Sequence, residues 1–271
     1  MTRKRADVYL VEVGIASSRE QAQRLISEGK VFADGKPITK PASLVDDHSH
    51  INVVEAASYV SRGGLKLEKA LHSFNIPTEG KHAIDIGAST GGFTDCLLRH
   101  GTKAVTAIDV GYGQLAWSLR QDPRVTVMER TNIRHVTPEN VPYLADIITI
   151  DVSFISHEKI FDNVLQLLRP EGEIIALIKP QFEAGRERVG KKGVVRDPDI
   201  HKDVLAELWD YYTKHSLVVK GLTYSPVKGP EGNIEFLVYL SGTGEGIPES
   251  EKAETISGVV DEAHAALHAA P

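Results

Sequence analysis

The chain has 271 residues, enough for a large domain with a smaller companion. Its one cysteine, Cys96, excludes a disulfide framework, and no apolar run is long enough to serve as a signal peptide or cross a bilayer, so a cytoplasmic protein without a membrane partner is expected. A net charge of -6 speaks against a strongly basic nucleic-acid binder, but from Ser241 onward the tail carries six carboxylates against Lys252, which leaves the body near neutral.

Val8, Leu10, Val11 and Val13 mark a short helix that stops at Gly14. Ser18-Arg-Glu-Gln21 is a capping box opening a second helix that runs to Glu28, with Gly29 as its cap. Val31 to Ile38 reads as a hairpin around Asp34-Gly35. His48 and His50 lie in a polar turn without further nearby ligands, so no metal is expected. The first 45 residues hold eight lysines and arginines against five carboxylates, a mildly cationic end. The helix order, the run Ile26-Ser-Glu-Gly29-Lys30-Val31 and the Asp-Gly turn resemble the RNA-binding domain named after ribosomal small-subunit protein S-four, over about residues 3–55. That resemblance implies that Arg19, Arg24 and Lys30 face RNA phosphates, with Arg3 and Lys4 on the same cationic end.

The expected division is an RNA-binding domain over 1–56, a linker over 57–61, a large domain over 62–243 and an acidic tail over 244–271. In the tail, Ile256, Val259, Val260, Ala263 and Leu267 recur at helical spacing, as a packing helix would require. The large domain opens on a helix bearing Leu65, Leu67, Ala70, Leu71 and Phe74. Seven strands follow: His82 to Gly87, Lys103 to Val110, Val125 to Arg130, Asp146 to Asp151, Glu173 to Lys179, Leu217 to Tyr224 and Ile234 to Leu240. Helical stretches alternate with them, which predicts a Rossmann-like α/β sheet. Only Ser225 to Asn233 separates the last two strands, too little for a crossover helix, so they should pair antiparallel, as in methyltransferases rather than dehydrogenases.

Asp85-Ile-Gly87-Ala88-Ser89-Thr-Gly91-Gly92-Phe93-Thr94 joins the first strand to a helix through small residues that let a ligand meet backbone. The next strand ends in Asp109, where a carboxylate can take both hydroxyls of a ribose. A dinucleotide turn wants a glycine where Ser89 stands, so the motif favours S-adenosylmethionine, which carries no phosphate.

Two further strands end in charges, Asp151 and Lys179, either of which would be costly to bury alone. Adjacent strand tips would let them pair, and Glu235 with Lys66 could complete a group of two cations and two anions. Lys179 would then accept or orient the proton of a hydroxyl placed in line with a sulfonium methyl.

Lys66, Asp151, Lys179 and Glu235 match the Lys-Asp-Lys-Glu tetrad of ribose 2'-O-methyltransferases with the FtsJ-like fold. With the N-terminal motif, Val60-Ser-Arg62-Gly-Gly-Leu-Lys66, Asp109-Val-Gly-Tyr-Gly-Gln, Lys179-Pro-Gln-Phe-Glu and Gly232-Asn-Ile-Glu235, the chain resembles the TlyA family nearly throughout. The resemblance implies methylation of cytidine 2'-hydroxyls in ribosomal RNA of the large subunit, 23S, and in some members the small subunit, 16S, presented in subunits or 70S ribosomes. It implies a cofactor site made by Asp85, Gly87, Ala88, Ser89, Gly91, Gly92, Phe93, Asp109, Asn132 and Asp151. Ala57-Ser58-Tyr59-Val60 departs from the Arg-x-Trp-Val of dual-specificity relatives by losing the arginine, which bears on subunit range.

Arg186, Arg188, Lys191, Lys192 and Arg196 form a glycine-rich basic loop after the Lys179 strand, expected to be mobile and to close over RNA phosphates, to which Arg62 adds another cation. Base methylation fits less well: Asp151-Val-Ser-Phe offers neither a cysteine nucleophile nor the Pro-Pro that favours exocyclic amines. A non-catalytic assembly factor is the alternative from another class, and direct membrane insertion, suggested by the name haemolysin in this family, finds no spanning segment.

Overall fold

Alternation of apolar strands with amphipathic helices produces two units, Met1–Ser58 and Tyr59–Pro271, in a computed structural model describing residues 3–27, 30–53 and 59–268. In the first unit, β1 (Arg3–Arg5) leads into α1 (Ala6–Glu12) and α2 (Arg19–Ser27), followed by β2 (Val31–Ala33), β3 (Lys36–Pro37), β4 (Leu44–Asp46) and β5 (Ile51–Val53). β2 pairs antiparallel with β3 through a turn in which Asp34 and Gly35 both have positive φ, 50° and 79°, as a two-residue hairpin needs. Ser18 accepts the Gln21 N–H at 3.2 Å, but the Gln21 side chain accepts from Ser17, backbone N–H and hydroxyl, at 2.7 and 2.6 Å. The expected box therefore closes one residue early. Glu28 and Gly29, the predicted end and cap of α2, lie outside the described residues, as do linker positions 57 and 58.

Asp7 is the electrostatic centre of this unit. It is fully buried, and its carboxylate accepts from Arg5 (3.0 Å), Arg19 (2.9 Å) and Gln23 (3.1 Å), tying α1 to α2. The adjacent Arg5 guanidinium, with Arg19 and Gln23, holds the carboxyl well below the usual carboxylate range despite burial.

The second unit contains α3 (Gly63–Phe74), β6 (His82–Ile86), α4 (Gly92–Arg99), β7 (Ala104–Ile108), α5 (Trp117–Arg120), β8 (Val125–Met128), β9 (Ala145–Ile150) and α6 (Phe161–Gln166). It continues with β10 (Leu168–Ile178), α7 (Pro180–Glu183), α8 (Pro198–Lys214), β11 (Val218–Tyr224), β12 (Phe236–Ser241) and α9 (Lys252–His268). Its seven-stranded sheet has the order β11-β12-β10-β9-β6-β7-β8, and β12 runs antiparallel to both neighbours. The α/β class expected from the strand and helix pattern is thus realised. Residues of β9 alternate between two cores: Ile147 packs with Leu67, Leu97 and Leu237, whereas Ile148 packs with Phe161, Leu205 and Phe236. β10 begins earlier than its apolar run, at Leu168, with a register shift against β9 between Leu168 and Glu173 around Pro170, which cannot donate to the ladder. In the tail, α9 buries Ile256, Val260, Ala263 and Leu267 in the core that also holds Leu205 and Val219.

His201 on α8 is fully buried, with Nδ1 2.9 Å from His264 Nε2 and Nε2 3.2 Å from the Val195 carbonyl. A carbonyl only accepts, so Nε2 carries the proton and His264 donates to Nδ1. Burial, and then the neighbouring His264, push the His201 pKa down to about 4. The unfolded chain takes up this proton first, so stability present above about pH 6.5 is lost as pH falls toward 4. His201→Gln, which cannot charge, should flatten the fall in unfolding free energy across that window by on the order of 3 kcal/mol, measured by urea denaturation at successive pH values.

Candidate active site

Strand register creates the site. β10 pairs with β9 in parallel and with β12 antiparallel, matching Ala176 to Ile150 and Ile178 to Phe236. The next residues along these strands are Asp151, Lys179 and Glu235, so three charged side chains emerge at one end of the sheet. Lys179 Nζ lies 2.6 Å from Asp151 Oδ1 and donates to Ser153 Oγ at 2.9 Å. Lys66, on α3, donates to Glu235 Oε2 at 2.5 Å. Lys66, Lys179 and Glu235 are all buried. Burial raises the Glu235 pKa, Lys66 and Lys179 oppose that rise, and the Asp151 charge adds to it. Its Oε1 is buried without a hydrogen-bond partner among the described residues.

Gly87 begins the turn after β6 at φ +84°, and a Cβ there would stand 2.4 Å from the Asp151 carbonyl oxygen. A Cβ at Gly92 would meet the Gly64 nitrogen at 2.8 Å, so this glycine lets the starts of α3 and α4 approach. Asp85, expected to touch cofactor, instead lies fully buried beneath the turn, accepting from Thr94 (2.7 Å) and Thr149 (2.9 Å). Burial, offset in part by those hydroxyls, raises its pKa to about 6. Gly91 likewise lines neither of the two cavities beside the turn and faces Leu119 and Leu115.

Two cavities meet at Gly87, Ser89 and Asp151. One, of about 380 Å³, is lined by Ile86, Asp109, Asn132, Ile133 and Phe154 among others. Asp109 accepts backbone N–H groups of Ser89 (2.7 Å) and Gly111 (2.6 Å), one on each oxygen, leaving further lone pairs for a diol. Asn132 Oδ1 accepts the Arg134 N–H at 3.1 Å, and no partner for its amide donors is described. These groups fit an adenosine-bearing cofactor. The other cavity, of about 430 Å³, is lined by Arg62, Lys66, Lys228, Ala88, Gly92 and Phe93 among others, a cationic chamber suited to a phosphorylated acceptor. Ser153, Phe154 and Lys228 escaped sequence reasoning: the first two sit in a loop whose path the fold sets, and Lys228 lies between strands with no local motif.

The expected RNA contacts are differently placed. Arg3, Lys4 and Arg19 are exposed at their tips yet paired, with Asp46 (3.2 Å), Glu12 (2.5 Å) and Asp7 (2.9 Å). Arg24 is exposed and Lys30 half-buried. In the basic loop Lys191, Lys192 and Arg196 are exposed, whereas Arg188 bonds Ala184 and Glu207. The loop is anchored at its far end by buried Val194 and Val195, the Val195 N–H reaching Asn233 Oδ1 at 3.1 Å.

Residues 59–241 match the FtsJ-like methyltransferase family and residues 4–51 match the S4 domain. The chain is 43% identical over 99% of its length to a 16S/23S rRNA (cytidine-2'-O)-methyltransferase, TlyA, of Mycobacterium tuberculosis, covering 99% of that protein. It is 50% identical to YqxC of Bacillus subtilis, provisionally named an rRNA methyltransferase, across 98% of this chain and 95% of that one. A solved structure of a provisionally named hemolysin from Streptococcus thermophilus superposes with a TM-score of 0.76 at 43% identity, covering 99% of this chain and 98% of the other. The fold and site define an FtsJ-like methyltransferase with an S4 domain. The chain belongs to the TlyA family of such enzymes. Among the described residues, no helix is long and apolar enough to cross a membrane.

Gly87→Ala forces a side chain against backbone at a positive φ, so it should cost at least about 2 kcal/mol of unfolding free energy, where Gly113→Ala, at φ +71° with open space, should cost only about 1. Urea denaturation of both variants checks the difference.

Proposed function

We propose that the protein transfers the methyl group of S-adenosylmethionine to the 2'-hydroxyl of cytidine in ribosomal RNA, in 23S and, by likeness to the dual-specificity relative, in 16S as well. The observation that carries this reading is the Lys179–Asp151 and Lys66–Glu235 pairs, set where a nucleoside-type cavity meets a cationic one. When bound, S-adenosylmethionine supplies an electrophilic methyl beside a sulfonium leaving group. Asp109 would take its ribose hydroxyls, Asn132 would donate to its base, and Gly87 and Ser89, which line the same cavity, would admit it close to backbone. Arg62 and Lys228 hold the phosphates flanking the acceptor ribose. Phe154, 89% exposed at φ +65°, presents an aromatic face to an unstacked base. Lys179 would orient the 2'-hydroxyl in line with the sulfonium methyl and, in its neutral amine form, would take the proton that this hydroxyl gives up on methyl transfer. Asp151 and Ser153 fix the Lys179 amine, while Glu235 fixes Lys66. The substrate is rRNA within a subunit or a 70S ribosome, where the S4 domain supplies sequence-independent phosphate contacts through Arg24, Lys30 and the outward donors of Arg19.

With labelled S-adenosylmethionine and separated ribosomal subunits, label should map to a cytidine 2'-O-methyl group. Lys179→Ala should reduce transfer roughly 10²–10⁴-fold while cofactor affinity by calorimetry changes little. Label on a base, or undiminished transfer by the variant, would overturn the reading. Changing Lys191 and Lys192 together to Ala should weaken RNA binding and lower its log–log salt slope by roughly 1.5. An unchanged slope, measured by filter binding across a salt series, would remove the loop from RNA contact.

A further inference from the structure

The fold assembles a group that no sequence spacing announces: Glu68, His72 and His100, each offering a ligand atom, all within 4.8 Å of one another. Glu68 and His72 stand one turn apart on α3, hence on one face of that helix. His100 caps the C-terminus of α4, which packs beside α3. We propose that these three side chains form a zinc-binding site that clasps α3 to α4.

The hydrogen bonds around the cluster leave a ligating atom unengaged on each residue. His100 Nδ1 lies 2.9 Å from the Cys96 carbonyl, which can only accept, so Nδ1 carries the proton and Nε2 keeps its lone pair. Histidines on zinc are oriented by this kind of N–H to carbonyl bond. Glu68 Oε1 accepts the Tyr59 hydroxyl at 2.7 Å, an outer hydrogen bond of the kind that steadies a carboxylate ligand, and Oε2 is left for the metal. The His72 ring has no described hydrogen bond and meets His100 only edge-on, with centroids 5.9 Å apart. Two imidazoles and a carboxylate suit zinc, with a water in the fourth position. Bond lengths of roughly 2.0–2.1 Å put tetrahedral ligand atoms about 3.3 Å apart. The exposed His72 side chain can swing inward to close the gap.

The clasp has a consequence for the helices that frame the cationic cavity. α3 carries Lys66 two residues before Glu68, and the starts of α3 and α4 touch at Gly63 and Gly92. A metal at the far ends of both helices would resist their sliding. The site stands independently of methyl transfer, since none of its three residues lines either cavity.

Zinc titrated into the untagged full-length chain, followed by calorimetry, should show one ion bound per chain, with a rise in melting temperature at saturation. His72→Ala, at an exposed position, and His100→Ala should each weaken binding at least about 100-fold and abolish the thermal shift, while His48→Ala in the first unit leaves both unchanged. Tyr59→Phe should weaken binding roughly 10-fold through the loss of its bond to Glu68. Cobalt in place of zinc should give the intense visible absorption of a tetrahedral site, lost in His72→Ala. Zinc binding that persists in His72→Ala, or no saturable binding by the unaltered chain, would overturn the site.

Discussion

The reversal of one strand governs this enzyme. Because β12 enters the sheet antiparallel beside β10, its first residues lie at the carboxyl end of the parallel strands, where ligands of open α/β sheets bind. A parallel strand in that slot would deliver its last residues to the site. Here the entry residue Glu235 is delivered instead, directly after the Ile178 to Phe236 match that sets it across from Lys179. The short Ser225 to Asn233 connection makes the reversal obligatory, since a parallel return needs a crossover of a dozen or more residues. Topology thus places an acid where a cation from α3 can reach it.

Four buried or half-buried charges are an expensive way to hold a fold together, since desolvation of each ion offsets most of what pairing returns. Such a cluster is weak support for stability and stronger support for chemistry. The pairing is divided: Lys66 serves Glu235, while Lys179 is shared between Asp151 and Ser153 and stands beside the junction of the two cavities. Removing either anion would strand a lysine. The N-terminal unit uses the opposite economy, enclosing a single carboxylate, Asp7, inside three side-chain donors, so its arginines are oriented by the interior while their tips face water.

The large-scale fold was legible in the sequence because its strands are buried on both faces and read as continuous apolar runs between helical patterns. Ile147 and Ile148, adjacent in the chain and committed to different cores, show why no alternation appears. The charged strand tips were legible for the related reason that Asp151 and Lys179 interrupt apolar runs at their ends. What failed was what depends on side-chain direction. Asp85 sits in the same motif as Gly87, but strand alternation turns it inward to Thr94 and Thr149. Arg188 was grouped with its basic neighbours, yet helix α8 offers it Glu207. Lys228 and Phe154 belong to loops whose course is set by elements remote in sequence. His72 and His100 were unreadable as neighbours for the same reason: they are 28 positions apart and meet only through the packing of α3 on α4.

That packing runs along the length of α3. At its start, Gly63 and Gly64 crowd Gly92 so closely that a methyl group on Gly92 would strike backbone, which fixes the height of α3 relative to the cofactor turn. At its middle Lys66 reaches Glu235, which belongs to the sheet, so the helix is held from beneath as well as from the side. Toward its end Glu68 and His72 face His100. Lys66 therefore rides on a helix packed at its start against α4 and tied to the sheet through Glu235. Lys179 differs: it stands at the end of β10 and is held across the strand tips by Asp151 and Ser153, in the loop after β9 that also carries Phe154 at φ +65°. The two ion pairs are therefore built on different kinds of support, Lys66–Glu235 between a helix and the sheet, Lys179–Asp151 between a strand end and a loop.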